Sequence, residues 1–549
     1  MLWDAIIYKG DNMLTGSLFI AIGISILYLF MFYTSGLIAI ELFKFKIKNY
    51  FVAIATGFFS YFTFLSVFTF PLQLISVLPY VFFIYYIFAI SIIYLLFCFV
   101  FMRFWLNTNF LKLDSLFFIL VVCLFITLNY FSMTYISKEN FSRHKNTLAI
   151  LYWLKGNSVS FFNDSTLYNF LGFKPFQGWY SFQLSTIMIA NVQPYQYKDL
   201  LIPLSIILDA FLLSSIFFTF YESFSLKTRN KNKIILFLSS LILFMITRLV
   251  FWKLEYSIFS GDMILLYLIF YAVIMLLRYT TFNTRERYNP VLIGLVLGGY
   301  ISFSWESSYQ ILFLLYAFIF IIQRKFSQNF TKDILKIVLF PMVCFIFYNI
   351  ILNLYIQVIV FGAILFLMII TSILMNRKYS FVIKFENFLE NRSIFTVLFV
   401  PIFFMTLSTA FILAFNENII SDKFNSLNIL YIWLSVIKNN IAKQTLTFII
   451  SMSLLAISFV WVFFRKRVKC DLLTNIVDLF LISYLTFYNP ISVRFINVFY
   501  PNMFETNGIV LLVLIFSLLN SIPYSIKQKK AKQENTEVVV IKKYSRLSF

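Results

Sequence analysis

One histidine, His144, and four cysteines are all that this chain of 549 residues offers of the most versatile metal-binding side chains. A single imidazole excludes any multi-histidine metal site. Cys98, Cys123 and Cys344 lie inside apolar runs and Cys470 in a basic segment, none near another, so neither a disulfide framework nor a zinc site is indicated. Charged residues are scarce too, at 12% against 61% hydrophobic, as are glycine (14) and proline (11). The chain has no phosphate-cradling glycine loop, nucleophile elbow or zinc-protease helix, which excludes an ATPase motor within it.

Long uncharged runs fill the space these absences leave. Phe51 to Phe70 and Ile337 to Met375 contain no Asp, Glu, Lys or Arg. About 20 apolar residues, rising about 1.5 Å each, cross a hydrocarbon core of about 30 Å. A soluble domain cannot hide so many all-round apolar helices. The expected fold is all-α, a polytopic transmembrane bundle of about 15 spans (range 12–15) with re-entrant or interfacial helices on the outer side. The spans fall near 14–40, 51–70, 79–102, 115–134, 200–221, 234–247, 262–277, 291–303, 310–322, 337–354, 357–375, 394–414, 447–464, 472–489 and 508–524. Asp4, Lys9 and Asp11 replace the basic start of a signal peptide, and the run Leu14 to Ile40 is too long for one, so it reads as the first retained membrane helix. Residues 1–524 form one integral membrane domain and 525–549 a basic cytoplasmic tail.

A net charge of +21 would suit a polyanion, but its placement argues for membrane lipids and against nucleic acid. With the N-terminus outside, the inner segments hold 31 of the 44 Lys and Arg and the outer ones 13. Orientation follows such cation asymmetry in short loops. The expected location is the cell membrane, multi-pass, N-terminus outside and C-terminus cytoplasmic. The inner turns are short, so a site belongs to the outer face, where residues 135–199 form the largest segment.

Three outer segments and one buried acid carry candidate chemistry, each with a structural alternative. Asn163, Asp164, Ser165 and Thr166 precede an apolar run, so Asp164 is either a helix N-cap or a general base or divalent-cation ligand. Trp179 and Tyr180 are either an aromatic-belt anchor or a sugar-stacking platform. Around Ser304 to Gln310 two apolar pieces too short to cross alone flank a polar break, and Glu306 lies either in a recessed pocket or in bulk water. Gly294, Gly298 and Gly299 just before it permit close helix packing. Asn489-Pro490 ends a helix, and Arg494 beyond it either grips a lipid-linked phosphate or snorkels and pairs with Glu505. Asp209 sits about ten residues into its span. It is either an ion-coupling carboxylate or a group hydrogen-bonded to hydroxyls of the Ser205 and Ser214 kind.

Taken in order, Gly57-Phe58-Phe59, Leu78-Pro79, Asn163-Asp164-Ser165-Thr166-Leu167-Tyr168, Gly178-Trp179-Tyr180-Ser181-Phe182-Gln183 and Asn489-Pro490 resemble a family of multi-spanning proteins of Gram-positive bacteria of unknown function. That family is in turn similar to the integral-membrane (C-type) glycosyltransferases. Its members carry paired aspartates in the outer loop. Here the first is Asn163, so a carboxylate pair does not carry over. The Gly294 to Leu315 hairpin is also similar to a common hairpin of those transferases. The resemblance implies transfer of a sugar from a polyprenyl phosphate to an acceptor at the outer leaflet. Asp164 would be base or metal ligand, Glu306 a contact to acceptor or metal, and Arg494 the phosphate clamp, with Trp179, Tyr180 and Gln183 facing substrate. The acidic loop near the first span that such enzymes use is missing, with Asp4 and Asp11 its only substitutes. Two other classes stay open: a transporter or lipid flippase coupled through Asp209, and a non-catalytic membrane protein of envelope assembly.

Overall fold

The computed structural model describes residues 10–43, 50–74, 79–105, 113–136, 178–191, 197–225, 290–303, 335–339 and 355–375, with helical positions at 237–238, 241–242, 244–245, 264–265, 267–268, 270–272, 274–275, 341–342, 346, 402 and 406. Among them every element is helical and none is a strand. The principal helices are α1 (Gly10–Leu42), α2 (Tyr50–Leu74), α3 (Pro79–Trp105), α4 (Leu113–Ile136), α5 (Gly178–Ala190), α6 (Tyr197–Ser225), α7 (Pro290–Gly298), α8 (Tyr300–Phe303) and α9 (Tyr355–Met375). The expected runs 14–40, 51–70, 79–102, 115–134, 200–221, 291–303 and 357–375 emerge as these helices, ends shifted by at most four residues. The other expected spans lie partly or wholly outside the described residues, as does the tail 525–549. Leu18–Leu42 and Leu200–Tyr221 are the two described helices long and apolar enough to cross a membrane, and Tyr50–Leu65, Ile84–Leu96 and Leu116–Phe131 are shorter apolar stretches.

Local chemistry sets the ends. Pro79 and Pro290 open α3 and α7, where the missing N–H costs nothing and the fixed φ suits the first helical position. α5 stops on Asn191, which takes a left-handed φ of 49° and donates its N–H to the Met188 carbonyl at 3.2 Å.

α2 is the centre of the bundle. Residues 51–63 are buried without exception, and α1, α5, α6, α7 and α8 pack on them. The tightest contact is with α1. A Cβ placed on Gly57 would fall on the Phe32 carbonyl oxygen, and one on Gly36 would fall on that of Ala53. Across this seam Ser35 Oγ donates to the Gly57 carbonyl at 3.1 Å. Two further glycines hold the α7–α8 chain close. Gly294 lies against the backbone of Lys336 and Ile337, whose carbonyl oxygens would each stand 2.9 Å from a Cβ added there. Gly299 lies against the Phe59 carbonyl oxygen, which an added Cβ would meet at 2.7 Å. Gly299 also breaks that chain into two short helices. The close packing expected of this glycine run is thus observed at Gly294 and Gly299.

Large apolar side chains face outward as well as into the core, and several polar ones are buried. Thr56, Ser60, Asn129, Thr186, Asp209 and Ser214 are fully buried, whereas Phe99 is 85%, Phe19 73%, Leu95 71% and Ile359 70% exposed. Most buried hydroxyls turn back on their own helix, as Ser25 does to Ala21 O (2.7 Å) and Ser214 to Ala210 O (2.7 Å). Burial favours this, because a buried donor left unmet costs several kcal/mol.

Aromatic contacts define one end of the bundle. There the Tyr50 and Phe118 rings lie 5.3 Å apart, Phe51 and Phe218 5.3 Å, Phe118 and Phe218 5.4 Å, and Tyr221 and Phe237 5.3 Å. The starts of α2 and α4 therefore share a layer with the end of α6. The chain joining this layer, in segments 43–49, 106–112 and 226–236, carries Lys44, Lys46, Lys48, Lys112, Lys227, Arg229, Lys231 and Lys233.

Gly57→Leu should lower the thermal midpoint of the full-length protein in detergent, with an overpacking cost of about 1–3 kcal/mol or more. Gly23→Ala, where an added Cβ meets nothing within 4 Å, should leave it unchanged or slightly raised.

Candidate functional site

α5 is 13 residues long, about 20 Å, and so too short to cross a bilayer. It nevertheless packs into the bundle against α1, α2, α3 and α8. Trp179, Phe182 and Thr186 recur at helical spacing and form its inner face, each buried. Trp179 stacks on Phe182 at 5.4 Å and meets Phe62 of α2 at 5.6 Å and Phe303 of α8 at 6.0 Å. Its stacking partners in this structure are protein rings, and at 3% exposure it presents no open face. Tyr180 lies in the first turn of the same helix. Gln183, one turn on from Trp179, is half-buried, and its Oε1 is shielded from solvent with no donor among the described residues.

α5 is latched from two directions. Thr186 Oγ1 and Tyr28 Oη share a hydrogen bond of 2.7 Å, and the Tyr28 and Phe182 rings lie 4.6 Å apart. Beside Tyr28, the hydroxyls of Tyr61 and Tyr86 bond to each other, linking α2 to α3. On the other side, Ser302 Oγ donates to the Phe62 carbonyl at 2.7 Å and Thr63 Oγ1 to the Leu295 carbonyl at 2.7 Å, which fixes α7 and α8 on α2. Phe62 lies about 18 Å along α2 from Tyr50 and its aromatic layer. The meeting of α2, α5 and α8 is thus well separated from the end that the basic segments join.

Asp164, Glu306 and Arg494 lie outside the described residues. Phe303, which ends α8, is the described residue nearest in sequence to Glu306, and its ring meets that of Trp179 at 6.0 Å. Among the described residues no three His, Cys, Asp or Glu side chains come together as a metal site.

Asp209 is elsewhere. It is fully buried in α6, within two residues of the middle of Leu200–Tyr221. A carboxylate at such a depth costs about 2.5–3.5 kcal/mol on insertion scales. Its partner here is Asn129 of α4, whose Nδ2 donates to Oδ2 at 2.8 Å and also points at the Ile206 carbonyl at 3.4 Å. Ser205 donates to Leu201 O and Ser214 to Ala210 O, because a serine in a helix interior reaches its own i−4 carbonyl first. Asn129 was the partner to find. It continues the buried stripe Phe118, Val121, Val122 and Phe125 of α4.

No family model, curated protein or solved structure matches this chain.

Tyr28→Phe removes the latch on Thr186 and should cost about 0.5–1.5 kcal/mol in thermal or denaturant unfolding. Trp179→Ala empties a site between three phenylalanines and should cost about 3–5 kcal/mol by the same measurement.

Proposed function

We propose that the chain is an integral membrane protein of the cell envelope that acts at the outer leaflet as a glycosyltransferase-like enzyme on polyprenyl-phosphate-linked sugar. In this reading it crosses the membrane many times, with its N-terminus outside and its C-terminus cytoplasmic. The wholly helical described part, two helices able to span and an apolar outer surface around a hydroxyl-rich interior support residence in lipid. The aromatic layer at Tyr50, Phe118 and Phe218 supports the sidedness. Three segments read as cytoplasmic from their cations leave from that one end.

The observation that carries the transfer reading is the contact between Trp179 and Phe303. It joins the re-entrant-length helix α5 to the chain that leads into Glu306, away from the basic end. The motifs that resemble the C-type transferases supply the roles. An acceptor hydroxyl loses its proton to Asp164 and attacks the anomeric carbon. The sugar–phosphate C–O bond breaks, and the polyprenyl phosphate leaves with the electron pair, held by the Arg494 guanidinium. A divalent cation at Asp164, where present, would add charge stabilisation to the phosphate. Glu306 contacts the acceptor, and the shielded Gln183 Oε1 suits a sugar hydroxyl as donor. Trp179 holds α5 in place beside it through Phe62 and Phe303.

Asp164→Ala, Glu306→Ala and Arg494→Ala, made singly in the full chain, should each deplete one envelope glycan measured by mass spectrometry of cell-wall extracts. Unchanged glycans in all three end the transfer reading. Sidedness is checked apart from it, in a variant whose four native cysteines are serine. A membrane-impermeant maleimide on intact cells should label Asn191→Cys and spare Lys46→Cys.

A further inference from the structure

α3 is weakly seated in the bundle. Among its described side chains Tyr86 alone is buried, while Ile84, Phe88, Leu95 and Phe99 are exposed. It packs on α1 and, over a short stretch, on α5. α2 is the contrast, buried throughout residues 51–63 and joined to α1 backbone to backbone at Gly36 and Gly57. α3 meets α1 through larger groups. The Tyr94 ring lies 5.4 Å from that of Phe30, and Tyr94 Oη donates to the Leu27 carbonyl at 3.4 Å, a long bond. Helices in lipid are held together by close packing and by interhelical hydrogen bonds, and α3 has little of the first.

Its share of the second is concentrated at Tyr86, whose hydroxyl bonds to Tyr61 of α2 and to Tyr28 of α1. Proton counting gives the directions. Thr186 Oγ1 has one proton and donates it to the Phe182 carbonyl at 2.8 Å, so Tyr28 donates to Thr186. With the Tyr28 proton spent, Tyr86 donates to Tyr28 and Tyr61 donates to Tyr86. A one-way chain of hydroxyls therefore runs from α2 through α3 and α1 to α5, with Tyr86 in its middle. Withdrawing Tyr86 takes the acceptor from Tyr61 and the donor from Tyr28, both buried. The other described side chains of α3 are already half-buried or exposed, so they lose little packing when it moves away.

We propose that α3 is a gate in the side of the bundle, bolted by Tyr86, and that its parting from α1 opens the hydroxyls of Tyr28, Tyr61 and Thr186 to the surrounding lipid. One residue holds the shut form, so the two positions of α3 are distinct rather than graded. The gate rests on residence in lipid, as proposed above, and not on the transfer reading.

The test measures distances between two nitroxide labels by pulsed electron paramagnetic resonance. It uses the full-length chain in phosphatidylcholine nanodiscs, with the four native cysteines changed to alanine. One pair, Leu95→Cys with Leu116→Cys, reports α3 against α4, and a second, Phe19→Cys with Leu116→Cys, reports α1 against α4; all three positions are exposed. Tyr86→Phe and Tyr61→Phe keep both rings and remove one hydroxyl each. Either should at least double the share of a longer-distance population in the first pair and leave the second pair unchanged. A first pair that stays unchanged in both variants overturns the gate, and so does a second pair that lengthens with the first, which marks a general loosening. A chain that stays out of the discs ends residence in lipid and the gate with it, whereas the other two results end the gate alone.

Discussion

The structure depends on how closely α1 and α2 approach. Gly36 and Gly57 remove two side chains from a seam where backbone carbonyls would otherwise be struck, and Ser35 bonds across it. In the lipid environment proposed for this chain, helices gain little from burying apolar surface against one another. Close backbone contact, dispersion and interhelical hydrogen bonds have to supply the association. Once α1 and α2 are joined, α2 becomes the post on which α5, α6, α7 and α8 are hung, its first residues buried on every side.

The same constraint explains where polarity sits. Most hydroxyls inside the bundle bond within their own helices, while others reach across at junctions, among them Tyr28 with Thr186, Thr63 with Leu295, Ser302 with Phe62 and Thr56 with Tyr271. Each is a direct bond between elements far apart in the chain, and each pins α1 or α2 to a later element. The neighbourhood of α5 and α8 exists because two such junctions flank it. Asn129 with Asp209 is a third kind, where a costly carboxyl is made tolerable by an amide from another helix.

Much of the helical layout was legible in the chain because an all-round apolar run has one stable form in lipid. The limits of α1 to α4, α6 and α9 follow from where charge, Pro79 and polar residues interrupt those runs. The glycines at 294 and 299 were legible as close-packing positions for the same reason, since only a missing side chain lets backbones meet. α5 was less so. It begins at Gly178 and ends on the left-handed Asn191, while the cap expected at Asp164 lies outside the described residues. The burial of Trp179 was not legible either, because a belt anchor and a core ring have the same local sequence.

From its sequence alone this protein was determined to be helical, apolar on every face and asymmetric in cation placement, because those are properties of residues one turn or one span apart. Only the tertiary structure decided that Asp209 is met by Asn129, that Trp179 faces Phe62 and Phe303, and that the starts of α2 and α4 share one aromatic layer with the end of α6. Such pairings join residues dozens to hundreds of positions apart. No local periodicity encodes them; they are chosen by which backbones can come close and which buried donors then find an acceptor.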